Sequence, residues 1–323
     1  MSPARIFTAF ITATILLASQ SLAGGYPDRP VRVIVPFGAG GGADLIARSL
    51  SAKLSEMWKQ SVIVENRVGA GGSIGADLVA KSVADGYTLL VHSSAYASSA
   101  AFYAKLPYDP LKDLVSVAPL GSAGNVLVTG KVSGLKSVAE LIAAAKKKHR
   151  KMKFGSAGAG SGTHLNAVKF NLAAGLRSVH VSDDLGAMAV NEDVMAGRID
   201  YWFAPIASVL PLLDNDSLVI LGVSSKERTK SLPNVPTLSE LGLKGFDYKL
   251  WYGVWAPAGI SDEVHKKLAE DVVIALASPE VSDQLERNGV SPMDMTPAKF
   301  ARFIEGEIRE STRIIKAAGI KQQ

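Results

Sequence analysis

Pro30-Val31-Arg32-Val33-Ile34-Val35-Pro36-Phe37-Gly38-Ala39-Gly40-Gly41-Gly42 is a β-branched run that breaks into glycine. From Ala43 to Met57, Leu45, Ile46, Leu50 and Leu54 then recur at helical spacing. Strand, glycine loop, helix is the order that decides the fold class, and it repeats. Ser61-Val62-Ile63-Val64-Glu65 reads as a strand, residues 66–75 as a second glycine loop and Ala76 to Ser82 as a helix. Tyr87-Thr88-Leu89-Leu90-Val91 is a third strand, followed by a small-residue loop from His92 to Ser99. A second unit opens near Val126-Leu127-Val128, with a helix from Ser137 to Lys148. Met152-Lys153-Phe154-Gly155-Ser156 leads into a third glycine loop at 157–162, and Thr163 opens the next helix. Strands follow at 178–181, 201–203 and 218–223, with a helix near 188–196. The tail from Asp262 is mostly helical, with capping signals at Ser261 and at Thr296-Pro297. The pattern is α/β, with parallel strands and helices on both faces.

The chain has 323 residues, 47% of them hydrophobic and 20% charged, enough to predict two packed domains rather than one core or a disordered chain. It has no Cys, which excludes disulfides, thiolate nucleophiles and Cys-ligated metal or iron–sulfur centres. Arg5, the apolar run Ile6 to Ala18 and Ser21-Leu22-Ala23 have the layout of a cleaved secretory signal peptide, residues 1–23. No later stretch holds 18 uninterrupted apolar residues, so the expected location is the periplasm, as a soluble protein. The net charge of +5 is small for this length. Much of it sits in Lys146-Lys147-Lys148-His149-Arg150-Lys151, a predicted helix end where cations suit the dipole. Without interleaved aromatics, that run predicts no nucleic-acid partner.

Gly38-x-Gly40-x-x-Ala43, with Glu65 about twenty residues on, has the outline of a dinucleotide fingerprint. Pro36 and Phe37 intrude on the required tight turn, and Asp44 would face a pyrophosphate, so no nucleotide cofactor is expected. The physics of such loops remains. A glycine loop at a helix N-terminus leaves backbone N–H groups aimed outward, and three of them predict a site for anions, most simply carboxylates. Catalytic patterns are thin. The five His form no HExxH and no i, i+4 pair, and Gly158-Ala159-Gly160-Ser161-Gly162 is out of step with a nucleophile elbow. No metal site is expected. Of the aromatics near strand ends, Tyr96, Tyr201, Trp202, Trp251, Tyr252 and Trp255 read mainly as core or hinge packing, with one or two lining a cleft.

Tyr26-Pro27-Asp28-Arg29-Pro30-Val31-Arg32, then Val35-Pro36-Phe37 with the glycine run and Asp44, resembles the solute receptors of tripartite tricarboxylate transporters, the Bug family. Glu65-Asn66-Arg67 through Gly75-Ala76, Asp85 to Leu90, Phe154 to Gly158 with Ser161, Thr163, His164 and Leu165, Leu232 to Thr237 and Trp255 to Gly259 carry the same resemblance. It implies a two-domain, type II periplasmic-binding-protein (Venus-flytrap) fold with a parallel-rich sheet in each lobe. It places 26–124 plus 248–323 in lobe 1 and 125–247 in lobe 2, with the hinge near 122–127 and 245–251. It further implies that backbone amides at Phe37, Ala39, Gly40, Gly41, Ala70 and Gly71 hold one carboxylate, with the hydroxyls of Ser93 and Ser94 nearby. Ser156, Ser161, Thr163 and His164 then take the far end of the ligand. The family pattern after His180-Val181 is Pro-Tyr-Lys-Gly, whereas this chain has Ser182-Asp183-Asp184-Leu185-Gly186. The exchange of a basic for an acidic element makes Asp183 a candidate for shaping ligand choice.

The expected function is therefore a monomeric periplasmic receptor. It would bind a small aliphatic or aromatic carboxylate without chemistry, using no cofactor, and deliver it to transporter subunits in the membrane. Its rivals are an enzyme built on the Ser161/His164 pair and a sensor for a membrane signalling partner.

Overall fold

The computed structural model describes residues 25–147, 151–183 and 185–323. The expected signal peptide, Lys148-His149-Arg150 and Asp184 lie outside the described residues. The first half of the repeat is β1 (Val31–Val35), α1 (Gly42–Trp58), β2 (Val62–Asn66), α2 (Ser73–Ala80), β3 (Thr88–Ser93) and α3 (Ala95–Phe102). Next come β4 (Leu114–Gly130), α4 (Val138–Lys147), β5 (Lys153–Ser156), α5 (Gly162–Ala174), β6 (Val179–Ser182) and α6 (Ala187–Met195). The chain continues through β7 (Tyr201–Pro205), α7 (Ile206–Val209), β8 (Leu218–Val223) and β9 (Lys249–Pro257). It ends with α8 (Asp262–Ala277), α9 (Pro279–Arg287) and α10 (Pro297–Ala317).

The strands run in the order β2-β1-β3-β9-β4-β7-β5-β6, with β8 also paired to β4. Parallel trios lie at the two ends, β2-β1-β3 and β7-β5-β6. An antiparallel seam of β9 and β4 joins them. The architecture is α/β in two lobes, with one trio in each.

Alternation along the strands explains the layering. Val33 and Val35 face one core with Ile46, Leu50 and Leu89. Ile34, between them, faces the opposite core with Leu90, Trp251, Trp255 and Phe300. In the other lobe Leu127, Phe154, Tyr201 and Phe203 share one core, while Val126, Val128, Trp202 and Ala204 share the other. α10 belongs to both lobes: Phe300 and Ile304 are buried with Trp251, and Ile314 and Ile315 with Phe170 and Phe203.

Three local differences from the sequence reading have physical causes. The strand expected at 126–128 is β4, 17 residues long. Its pairing with β9 shifts register between Ser116 and Ala118 and again between Pro119 and Gly121, so bulges hide its period. The stretch 92–99 is not a loop but the end of β3 and the start of α3. Seven of the eight α3 residues are buried, so the helix shows no amphipathic stripe. α2 starts at Ser73, three residues early, directly from the glycine loop. The expected caps form: Ser261 Oγ accepts the Val264 N–H at 3.2 Å and Thr296 Oγ1 the Lys299 N–H at 3.3 Å.

Candidate functional site

Three helices begin at one cavity between the lobes. α1 brings Gly41, Gly42 and Ala43 from the β1 loop, α5 brings Ser161, Gly162 and Thr163, and α6 brings Gly186 and Ala187. Phe37, Ala157, Pro205, Leu250 and Tyr252 supply apolar walls, and Ser93 adds a hydroxyl. The cavity is small, about 50 Å³, so the lobes are drawn close around it. Gly41 and Gly186, the residues preceding α1 and α6, provide no side-chain cap. The first-turn N–H groups of these helices therefore lack intrahelical acceptors and add to the positive ends of the helix dipoles. Among the described residues no Asp, Glu, Lys or Arg side chain lines the cavity.

The acid nearest in sequence, Asp44, is turned away from this space. Its buried carboxylate accepts the Gly40 N–H, Arg48 Nε and Asn66 Nδ2, each at 2.9 Å. Asn66 Nδ2 also donates to the Phe37 carbonyl at 2.9 Å. Burial pushes the Asp44 pKa up, but the hydrogen bonds from Arg48, Gly40 and Asn66 outweigh it and hold the carboxyl below its usual range. Asp44 is thus the clamp that shapes loop 38–42 and orients the start of α1.

Of the residues singled out in the sequence, Phe37, Gly41, Ser93, Ser161 and Thr163 line the cavity. Ala39 is exposed on the outer edge of its loop, and the Gly40 N–H is taken by Asp44. Ala70 and Gly71 form a short turn that packs on the other lobe rather than on the cavity. Gly71 has φ +63°, and a β-carbon there would fall on the Ala159 carbonyl oxygen. Ser94 is buried, its Oγ beside Gly162. Asp183 folds into its own turn, accepting the Leu185 N–H at 2.8 Å.

Ser156 and His164 lie behind the wall, in a stack. The His164 and His180 rings are 3.9 Å apart at 16°, with Phe154 stacked on both. His180 Nε2 is 2.6 Å from Ser156 Oγ, and His164 Nδ1 accepts the Gly160 N–H at 3.2 Å. Burial, then the neighbouring His180, lowers the His164 pKa to about 3; burial lowers that of His180 to about 4. Both imidazoles are neutral packing groups. Ser161 Oγ caps α5 by accepting the His164 backbone N–H at 3.2 Å, so Ser161 and the His164 ring do not form a nucleophile–base pair.

The lobes meet around the cavity. Ser98 Oγ donates to the Gly160 carbonyl at 2.6 Å, Ser99 Oγ to the same oxygen at 3.3 Å and to the Gly71 carbonyl at 3.1 Å. Tyr103 donates to the Ala159 carbonyl at 3.2 Å. On another edge Gly38 packs on Leu185 and Gly186. The sequence candidates did not include Gly186-Ala187, Pro205 or Leu250, and Tyr252 figured only among six aromatics of which one or two were expected to line a cleft. Gly186 between a strand and a helix was the available signal for the first pair. Nothing in the pattern of β9 distinguishes Tyr252 from its core neighbours Trp251 and Trp255.

Residues 46–320 match the model of the tripartite tricarboxylate transporter family receptor. BugT of Bordetella pertussis is 34% identical over 311 residues, 96% of this chain and 95% of BugT. The structure of the periplasmic binding protein BugD superposes with a TM-score of 0.87 at 27% identity, covering 92% of this chain and all of that one. R. palustris Rpa4515 with adipate gives a TM-score of 0.87 at 32% identity, over 91% of this chain and 99% of that one.

Proposed function

The chain belongs to the tripartite tricarboxylate transporter receptor family, and on that premise we propose that it is a periplasmic receptor for a small organic carboxylate. The receptor hands its ligand to the membrane subunits of a tripartite tricarboxylate-type transporter. One observation carries the reading: three helix N-termini from two lobes meet at a cavity with no charged lining side chain among the described residues. Such a site is rich in donors and favours anions through partial charges rather than through a salt bridge. Adipate in Rpa4515 is a ligand of the same chemistry on the same fold.

The energetics are adequate. Micromolar affinity needs about 8 kcal/mol. Hydrogen bonds to a charged group contribute roughly 1.5–3 kcal/mol each, so four or five offset the cost of ordering. Because both lobes line the cavity, the ligand favours the closed arrangement over an open one. The close Ser–His pair among the described residues, Ser156 Oγ and His180 Nε2, is off the cavity lining with Ser156 fully buried, which supports binding without turnover. No helix among the described residues is long and apolar enough to cross a membrane.

The test is a thermal-shift panel of malonate, succinate, malate, glutarate, adipate and benzoate, since a ligand stabilises the folded chain in proportion to ln(1 + [L]/Kd). The responding acid is then incubated with protein and weighed by mass spectrometry. At least one acid should raise the midpoint and be recovered unchanged. A flat panel, or a converted acid, overturns the proposal.

A further inference from the structure

Tyr252 lies on β9, in register with Ser93 of β3 and Gly121 of β4, and its side chain forms part of the cavity wall. The residue is only 2% exposed, yet its hydroxyl has no hydrogen-bond partner among the described residues. A buried phenol normally finds one. The hydroxyl is aimed at the start of α1: a β-carbon added to Gly42, the first residue of that helix, would lie 2.5 Å from it. Gly42 therefore lets the phenol reach the helix N-terminus, where first-turn N–H groups also lack acceptors. Asp44, the one acid in that turn, is already engaged by Arg48, Gly40 and Asn66. What converges here is a set of donors with no free carboxylate between them.

We propose that the Tyr252 hydroxyl donates a hydrogen bond to the ligand's carboxylate, completing with the first turn of α1 and Ser93 the anion-binding wall of this lobe. The assignment rests on the receptor reading above and gives one of the six aromatics read from the sequence a ligand contact. Burial raises the phenol pKa, so the group remains a neutral donor. The lack of a Lys or Arg side chain in the cavity lining among the described residues fits an acid recognised through directed hydrogen bonds, not through charge pairing.

The experiment compares wild type, Tyr252→Phe and Gly42→Ala by calorimetry, using whichever acid of the panel binds wild type most tightly. Tyr252→Phe removes one oxygen and keeps the ring. The expected result is an affinity tenfold or more weaker, because a donor to a charged group is lost. The midpoint of the ligand-free variant should be unchanged, since the oxygen it lacks lies on the cavity and makes no hydrogen bond among the described residues. Gly42→Ala, which drives a methyl group toward the same oxygen, should weaken binding comparably. Unchanged affinity in Tyr252→Phe overturns the proposal and leaves the receptor reading intact. A fall in ligand-free midpoint that accompanies the affinity loss assigns the hydroxyl a structural role and also overturns it. If no acid binds wild type, the receptor reading fails and this proposal with it.

Discussion

Replacing Asp44 with asparagine tests whether the clamp beneath loop 38–42 shapes the cavity. The carboxylate accepts from Gly40 N–H, Arg48 and Asn66, and is 1% exposed as a residue. An amide has one acceptor oxygen where the carboxylate has two. Whichever way the new amide turns, its NH2 group faces either Gly40 N–H and Arg48 Nε or Asn66 Nδ2 and Arg48 Nη2, all donors. One buried donor is left unpaired and a charge-assisted bond is lost, together about 2–4 kcal/mol. The Arg48 share is discounted because that side chain is half exposed. At about 2–4 °C per kcal/mol, the unfolding midpoint should fall by roughly 4–16 °C. The first turn of α1 would also lose its anchor, weakening carboxylate affinity at least tenfold. Calorimetry and a melting scan at pH 7 read both effects. The Asp44 carboxyl titrates below its usual range when folded, so its contribution is complete above about pH 4 and lost as pH falls through the folded value. The gap between wild type and variant should therefore close under strongly acid conditions. A midpoint within about 1 °C of wild type together with unchanged affinity at pH 7 would refute the clamp.

Two further outcomes follow from the lobe contacts and the buried imidazoles. Ser98→Ala removes the 2.6 Å bond to the Gly160 carbonyl. With about 1 kcal/mol lost from the closed arrangement, affinity should weaken roughly fivefold without any change at the ligand itself, and an unaltered Kd would show that the bond is indifferent to closure. His92, His164 and His180 are held neutral chiefly by burial, with pKa values down to about 4, 3 and 4. These lie below the ordinary value of about 6.5, so on acidification the unfolded chain takes up protons first. Stability should be level above about pH 6.5 and decline from there toward about pH 4. His180→Gln should flatten part of that decline, and a midpoint that stays constant down to about pH 4.5 in wild type would count against it.

β1 and β2 were legible because each is a β-branched run that leads into glycine, as at Val31–Gly42 and Val62–Gly72, and β5 because it runs into the glycines of 157–162. The antiparallel seam was not. Pro119, Gly121 and Gly124 interrupt the apolar pattern of β4, and bulges absorb the interruptions that a sequence period cannot. α3 escaped for the opposite reason: Ala95 to Phe102 is buried nearly all round and has no polar face to give it a period. At the site, glycine loops mark where backbone N–H groups cluster, and Phe37, Gly41, Ser161 and Thr163 lie on the cavity accordingly. Glycine also serves close packing, and local spacing does not separate the two uses. Gly71 packs on Ala159 of the other lobe, a contact set by tertiary structure and absent from any nearby pattern. Leu250, Tyr252 and Pro205 reach the cavity from strands distant in sequence, so only the assembled sheet brings them there.

The placement of β9 also fixes an order of assembly. Leu90 to Ser93 of β3 pair with Tyr252 to Trp255, roughly 160 residues later, and Leu114 to Gly124 pair with the same strand. The trio β7-β5-β6 and its neighbour β8 are complete by Val223. As the chain is synthesised from its N-terminus, the second lobe has all its strands before the first can close its sheet. Until Lys249–Pro257 arrives, β3 presents an unpaired edge, a ready partner for a neighbouring chain. Long-range pairing of this kind folds slowly, and α10, which packs into the cores of both lobes, arrives later still.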